Sequence, residues 1–104
     1  MSSSWPEHRK ITDYRFFSEL VSQPFVEAIY LFGSRAKGGH ESRSDIDLAI
    51  LCPEATDKDW SRVMKIIEDA DTLLQIDCVR LDTIHSDKFK KAIFKAHQLL
   101  YQRL

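Results

Sequence analysis

Cysteine, glycine and proline are all scarce in this 104-residue chain: two, three and three respectively. The two cysteines, Cys52 and Cys78, form no CxxC and have no Cys/His metal spacing, which excludes a disulfide framework or a zinc-type site. No Gly/Ser linker or internal repeat divides the sequence, so residues 1–104 read as a single domain, with residues 1–10 a loosely ordered N-terminal segment. No apolar run exceeds five residues, the longest being Ala28 to Phe32 and Leu48 to Cys52, far short of a membrane span. The opening MSSSWPEHRK lacks the apolar stretch of a secretory signal, so a reduced, cytoplasmic protein is expected. An excess of either charge is also missing: 15 Lys and Arg stand against 16 Asp and Glu. That balance excludes a dedicated nucleic-acid wrapper, and no direct DNA binding is expected. What remains is 43% hydrophobic, enough for a real core.

Periodicity places the elements. Tyr14, Phe17, Leu20 and Val21 predict a helix over 12–21, stopped before Pro24. Aromatic and β-branched residues over 25–32 predict a strand ending at Gly33, and 45–52 predicts a second strand ended by Pro53. Thr56 and Asp59 have capping-box spacing, followed by Trp60, Val63, Met64 and Ile67 on one helical face. A third strand is predicted over 74–81. A closing helix follows, capped by Asp82, Thr83 or Ser86, with Phe89, Ala92, Ile93 and Ala96 inward and Lys88, Lys91 and Lys95 mostly outward. The connection over 33–44 is short for a parallel crossover, so the first two strands are expected to be antiparallel in a mixed sheet. The fold class is α/β (α+β), a small mixed β-sheet flanked by helices.

Asp45 and Asp47, two apart on a strand, send their carboxylates to one face with Cα atoms about 7 Å apart, while Ile46, Leu48 and Ile50 take the other. Two such charges repel unless something positive lies between them, and Mg²⁺ is a natural neutraliser. On its own this pair also fits a solvated strand start. Gly33 and Ser34 end the preceding strand, where exposed N–H groups and a hydroxyl suit an anion, and Arg35, Lys37 and Arg43 add positive charge. On its own, Gly-Ser is a turn. Asp77 interrupts the apolar run LLQIDCVRL, a costly place for a charge unless it is paired, metal-bound or on an edge strand facing water. His40 in the loop, and His8, His85 and His97, read as solvated or capping residues, and the cysteines as small hydrophobes.

Together, G-S, ten residues, then D-x-D, with Asp77 on a later strand, resembles the DNA polymerase β-type nucleotidyltransferase superfamily. The wording GSRAKG…SDIDLAI is similar to minimal nucleotidyltransferases (MNT), many of them antitoxins paired with HEPN-domain toxins. The resemblance implies a polymerase β-like fold, with Gly33 and Ser34 on the β- and γ-phosphates of a nucleoside triphosphate. It implies that Asp45, Asp47 and Asp77 are catalytic and ligate two Mg²⁺ ions, Asp77 also helping to deprotonate the attacking hydroxyl, with Asp82 its rival. It further implies transfer of AMP from ATP to a tyrosine of a HEPN ribonuclease toxin. Two alternatives stand beside that reading: an antitoxin that binds nucleotide and acts by occlusion, and a small-molecule adenylyltransferase of the aminoglycoside-modifying kind. The latter would need a homo-oligomer to complete its acceptor pocket.

Overall fold

The two longest apolar runs become the two central strands of a four-stranded sheet. The computed structural model describes residues 10–33, 45–95 and 97–103. Strands β1 (Ala28–Phe32) and β2 (Ile46–Leu51) pair antiparallel, as the short connection between them requires. Strand β3 (Ile76–Arg80) lies parallel to β2, and β4 (His97–Gln102) lies antiparallel to β1, giving the order β3-β2-β1-β4. The sheet is therefore mixed, and the described residues include three α-helices: α1 (Arg15–Val21), α2 (Asp57–Glu68) and α3 (Asp87–Lys95). No helix among the described residues is long and apolar enough to cross a membrane.

Strand alternation divides the apolar residues between two faces. Ile29, Leu31, Ile46, Leu48 and Ile50 are buried in one cluster with Phe16, Phe17 and Leu20 of α1 and Val63 of α2. Each such aliphatic side chain contributes about 1.5 to 3 kcal/mol on burial. The opposite face holds a smaller cluster, Ala49, Leu81 and Ile93, ringed by Tyr30, Phe32, Leu51 and Val79. Helix α3 thus covers the face that α1 and α2 do not.

Several expected boundaries move. The first helix begins at Arg15, after a 3-10 turn at Ile11–Asp13, because Tyr14 offers no capping side chain. Its cap comes from Asp71, whose carboxylate accepts the N–H of Arg15 at 2.9 Å and of Phe16 at 3.0 Å. The capping box of α2 is present, with Thr56 Oγ1 accepting from Asp59 N at 3.1 Å and Asp59 Oδ2 accepting from Thr56 N at 3.0 Å. Its inward stripe is Trp60, Val63, Ile66 and Ile67, whereas Met64 is exposed.

The larger correction is at the C-terminal end. Helix α3, capped by Ser86 Oγ through the N–H of Phe89, ends at Lys95, and β4 follows where the closing helix was expected to continue. Of the expected inward stripe only Ile93 is fully buried; Ala92 and Phe89 are exposed, and Ala96 lies outside the described residues. A shift in register opposite Ile29 and Tyr30 lets the consecutive Leu100 and Tyr101 both join the α1–α2 cluster. That bulge hides the period-2 signal that would have marked a strand. What selects the strand is β1, whose second edge needs a hydrogen-bonding partner.

Asp82 caps no helix. Its carboxylate accepts the Cys52 N–H at 2.8 Å and Arg80 Nε at 2.9 Å, while Arg80 Nη2 donates to the carbonyls of Cys52 and Ala55. Burial works to raise the Asp82 pKa, but these hydrogen bonds and the Arg80 charge outweigh it and hold the carboxyl below the usual range. A depressed carboxylate stabilises the fold above the unfolded value near 4, and this is lost as pH falls through the folded value. Asp82→Asn should therefore lower stability at pH 7 by about 2 kcal/mol, a gap that closes towards pH 2 in acid-titrated urea melts. A gap independent of pH would show that the carboxylate charge is not what matters. Beside this network, burial and the Asp82 charge push the Cys52 thiol up to about 11, and burial with Cys52 nearby pushes Cys78 up to about 12. Both cysteines are free and protonated at neutral pH, as packing residues should be.

Candidate active site

One end of the sheet gathers the acidic residues. Alternation along β2 sends Ile46 and Leu48, both fully buried, into the α1–α2 core and leaves the half-buried Asp47 on the α3 face, with exposed Asp45 just before the strand. Parallel pairing then sets Asp77 of β3 directly opposite Asp47. Adjacent strands lie about 4.8 Å apart, so these carboxylates are neighbours across the ladder. Their proximity is felt electrostatically: partial burial first, then the charges of Asp77 and Asp45, raise the Asp47 pKa. Gln75 Nε2 donates to Asp77 Oδ1 at 3.3 Å.

The reason for suspecting Asp77 changes. It is exposed on an edge strand, so the cost of burying a charge does not apply to it. Its register opposite Asp47 is the stronger argument, and one that a single sequence does not contain. Asp82, its rival, is committed to Arg80 and the Cys52 N–H.

Gly33 closes the other side. It follows Phe32, the ladder partner of Asp47, and adopts φ +77°, where L side chains are strained. A Cβ on Gly33 would lie 2.3 Å from Asp47 Oδ2. The glycine was expected for close approach to a ligand; its tight contact is with the carboxylate itself. Ser34, Arg35, Lys37, Arg43 and His40 lie outside the described residues.

The donor set suits a hard divalent cation: oxygen ligands only, with Asp77 and Asp45 repelling Asp47. Among the described residues no three His, Cys, Asp or Glu side chains are drawn close enough to hold a metal ion unaided. A cation here would complete its shell with phosphate oxygens and water, as Mg²⁺ commonly does.

A mixed sheet with Asp47 on β2, Asp45 just before it, Asp77 across the ladder and a glycine turn alongside is the arrangement expected of a nucleotidyltransferase. The chain belongs to the polymerase beta nucleotidyltransferase family, whose model matches residues 17–104. It is 33% identical over 70 residues to "Putative protein adenylyltransferase MJ1379" of Methanocaldococcus jannaschii, spanning 65% of this chain and 70% of that protein. A crystal structure of a toxin–antitoxin with AMP-PNP is similar at 25% identity and a TM-score of 0.63, covering 85% of this chain and 72% of that one. The MNT antitoxin complex with the tri-AMPylated Shewanella oneidensis HEPN toxin gives a TM-score of 0.56 at 22% identity, covering 83% and 69%. At that identity the likeness is one of fold.

Proposed function

We propose that this chain is a Mg²⁺-dependent protein adenylyltransferase that acts as an antitoxin, moving AMP from ATP to a tyrosine hydroxyl of a HEPN-family toxin. The observation that carries the reading is the opposition of Asp47 and Asp77, with Asp45 on the same face and Gly33 against Asp47. The M. jannaschii relative's name supports a protein acceptor, and the toxin–antitoxin neighbour with AMP-PNP supports both the nucleotide and the antitoxin role. The motif resemblance to MNT antitoxins supports the HEPN partner.

In this reading Asp45, Asp47 and Asp77 hold the cations, and Ser34, Arg35, Lys37 and Arg43 with the Gly33 turn receive the phosphates. Bound Mg²⁺ supplies charge stabilisation to the attacking and leaving oxygens of an in-line displacement. The acceptor oxygen bonds to the α-phosphorus, the bond from that phosphorus to the bridging oxygen breaks, and pyrophosphate leaves. Asp77, exposed on the edge strand and open to an incoming hydroxyl, takes its proton in this reading. Positioning and electrostatics then supply most of the acceleration.

The test is transfer of label from α-labelled ATP to a HEPN protein encoded beside this chain, with Mg²⁺ and then with EDTA. Label on a toxin tyrosine, mapped by mass spectrometry and absent with EDTA, is the expected result. A stable complex that never becomes labelled would instead favour an antitoxin acting by occlusion.

A further inference from the structure

A nucleotide gripped only by its phosphates leaves its base unaccounted for, and the α3 face of the sheet offers an aromatic surface beside the carboxylates. We propose that Phe89, seated on Phe32, is a stacking shelf for the nucleobase of the donor. This inference rests on the nucleotidyltransferase reading of Asp45, Asp47 and Asp77.

Phe32 is the antiparallel ladder partner of Asp47 and the residue just before Gly33, so it connects the carboxylates to the phosphate turn. In an antiparallel pair the facing Cα atoms are about 5 Å apart and the two side chains share a face. Phe89, in the first turn of α3, meets the Phe32 ring edge-to-face with centroids 6.4 Å apart and planes at 78°. Phe32 is partly buried, whereas Phe89 keeps 39% of its surface open although it is large and apolar.

Among the described residues, the other exposed large apolar side chains are placed differently. Met64 is on α2, against the opposite face of the sheet, and Leu73 lies in the connection after that helix. Phe94 packs on Tyr30, and Leu99 pairs with Tyr30 in the ladder, two residues farther from Gly33 along β1. Phe89 is thus the open aromatic ring that touches the partner of a catalytic carboxylate. Every nucleobase has a π-face, so an open phenylalanine holds a base by stacking, and purines, with more ring area, should be held better than pyrimidines.

Equilibrium binding of MgATP, MgCTP and magnesium tripolyphosphate, the last a probe without a base, tests the shelf on the full chain. Phe89→Ala and Phe89→Leu should each weaken MgATP about tenfold, the scale of one base–aromatic stack, and leave tripolyphosphate within twofold. Phe89→Trp should restore MgATP binding, and the parent should bind MgATP more tightly than MgCTP. Equal losses for ATP and tripolyphosphate would mark a structural effect and overturn the shelf, as would ATP affinity unchanged in both variants. If the parent binds MgATP and Asp47→Asn removes transfer while Phe89→Ala binds normally, only the shelf falls. If the parent binds none of the three, the nucleotidyltransferase reading falls with it.

Discussion

Asp47→Asn should abolish measurable nucleotidyl transfer, a loss of at least about a thousandfold, while the protein stays folded. The substitution is nearly isosteric, so the fully buried Ile46 and Leu48 on either side keep their places. What disappears is the central one of the three carboxylates, with Asp77 across the ladder and Asp45 two residues away. Partial burial and the two neighbouring charges already disfavour ionisation of Asp47, so the ion-free parent carries unrelieved repulsion. The neutral variant should therefore melt at or above the parent's temperature without Mg²⁺, and below it once MgATP is added. The second difference is a linkage effect: a ligand at about 100 times its Kd stabilises the fold that binds it by about 2.7 kcal/mol. Differential scanning fluorimetry and single-turnover transfer read the two halves separately. Transfer at the parent's rate would remove Asp47 from the proposed metal site, whatever the melting curves showed.

Gly33→Ala should have the second-largest effect, and its signature is the separation of activity from stability. A non-glycine residue at φ +77° costs about 1 to 2 kcal/mol, which lowers the melting temperature without unfolding the domain. The new methyl group also falls 2.3 Å from Asp47 Oδ2 and 3.2 Å from its Cγ. The carboxylate, as the end of a side chain, can rotate away more easily than the backbone can shift, so the strain is relieved by moving the proposed catalytic group. A misplacement of about 1 Å can cost about a hundredfold in rate. We expect a drop of that order in kcat with only a small fall in stability. A second substitution, Asp47→Asn in the Gly33→Ala background, should then add much less than it does alone, since both act through one side chain. Additive losses would show that Gly33 serves the phosphates and not the carboxylate.

The two predictions differ in how far the sequence leads to them. The Asp45–Asp47 pair follows from period-2 alternation, because the apolar partners Ile46, Leu48 and Ile50 can only face the core. The Gly33 contact with Asp47 does not. It requires β1 and β2 to pair in one register, with Phe32 opposite Asp47, before the glycine reaches the carboxylate. The sequence justified a glycine there, but for a different physical reason.

Local pattern by itself determined the two central strands, the Thr56–Asp59 box and the turn of Asp47 away from the core that holds Ile46 and Leu48. Each depends on residues a few positions apart, where strand or helix geometry dictates the contact. Tertiary structure alone decided the cap that Asp71 gives α1 from 55 residues away, the grip of Asp82 on Cys52 and Arg80, and the course of β4. It also decided the placement of Asp77, whose neighbour across the ladder is set by the parallel return through α2. These depend on which distant segments pair, and pairing is governed by the shared burial of two faces and the open hydrogen bonds of β1. Neither leaves a periodic mark in a stretch such as HQLLYQ, where a bulge interrupts the alternation.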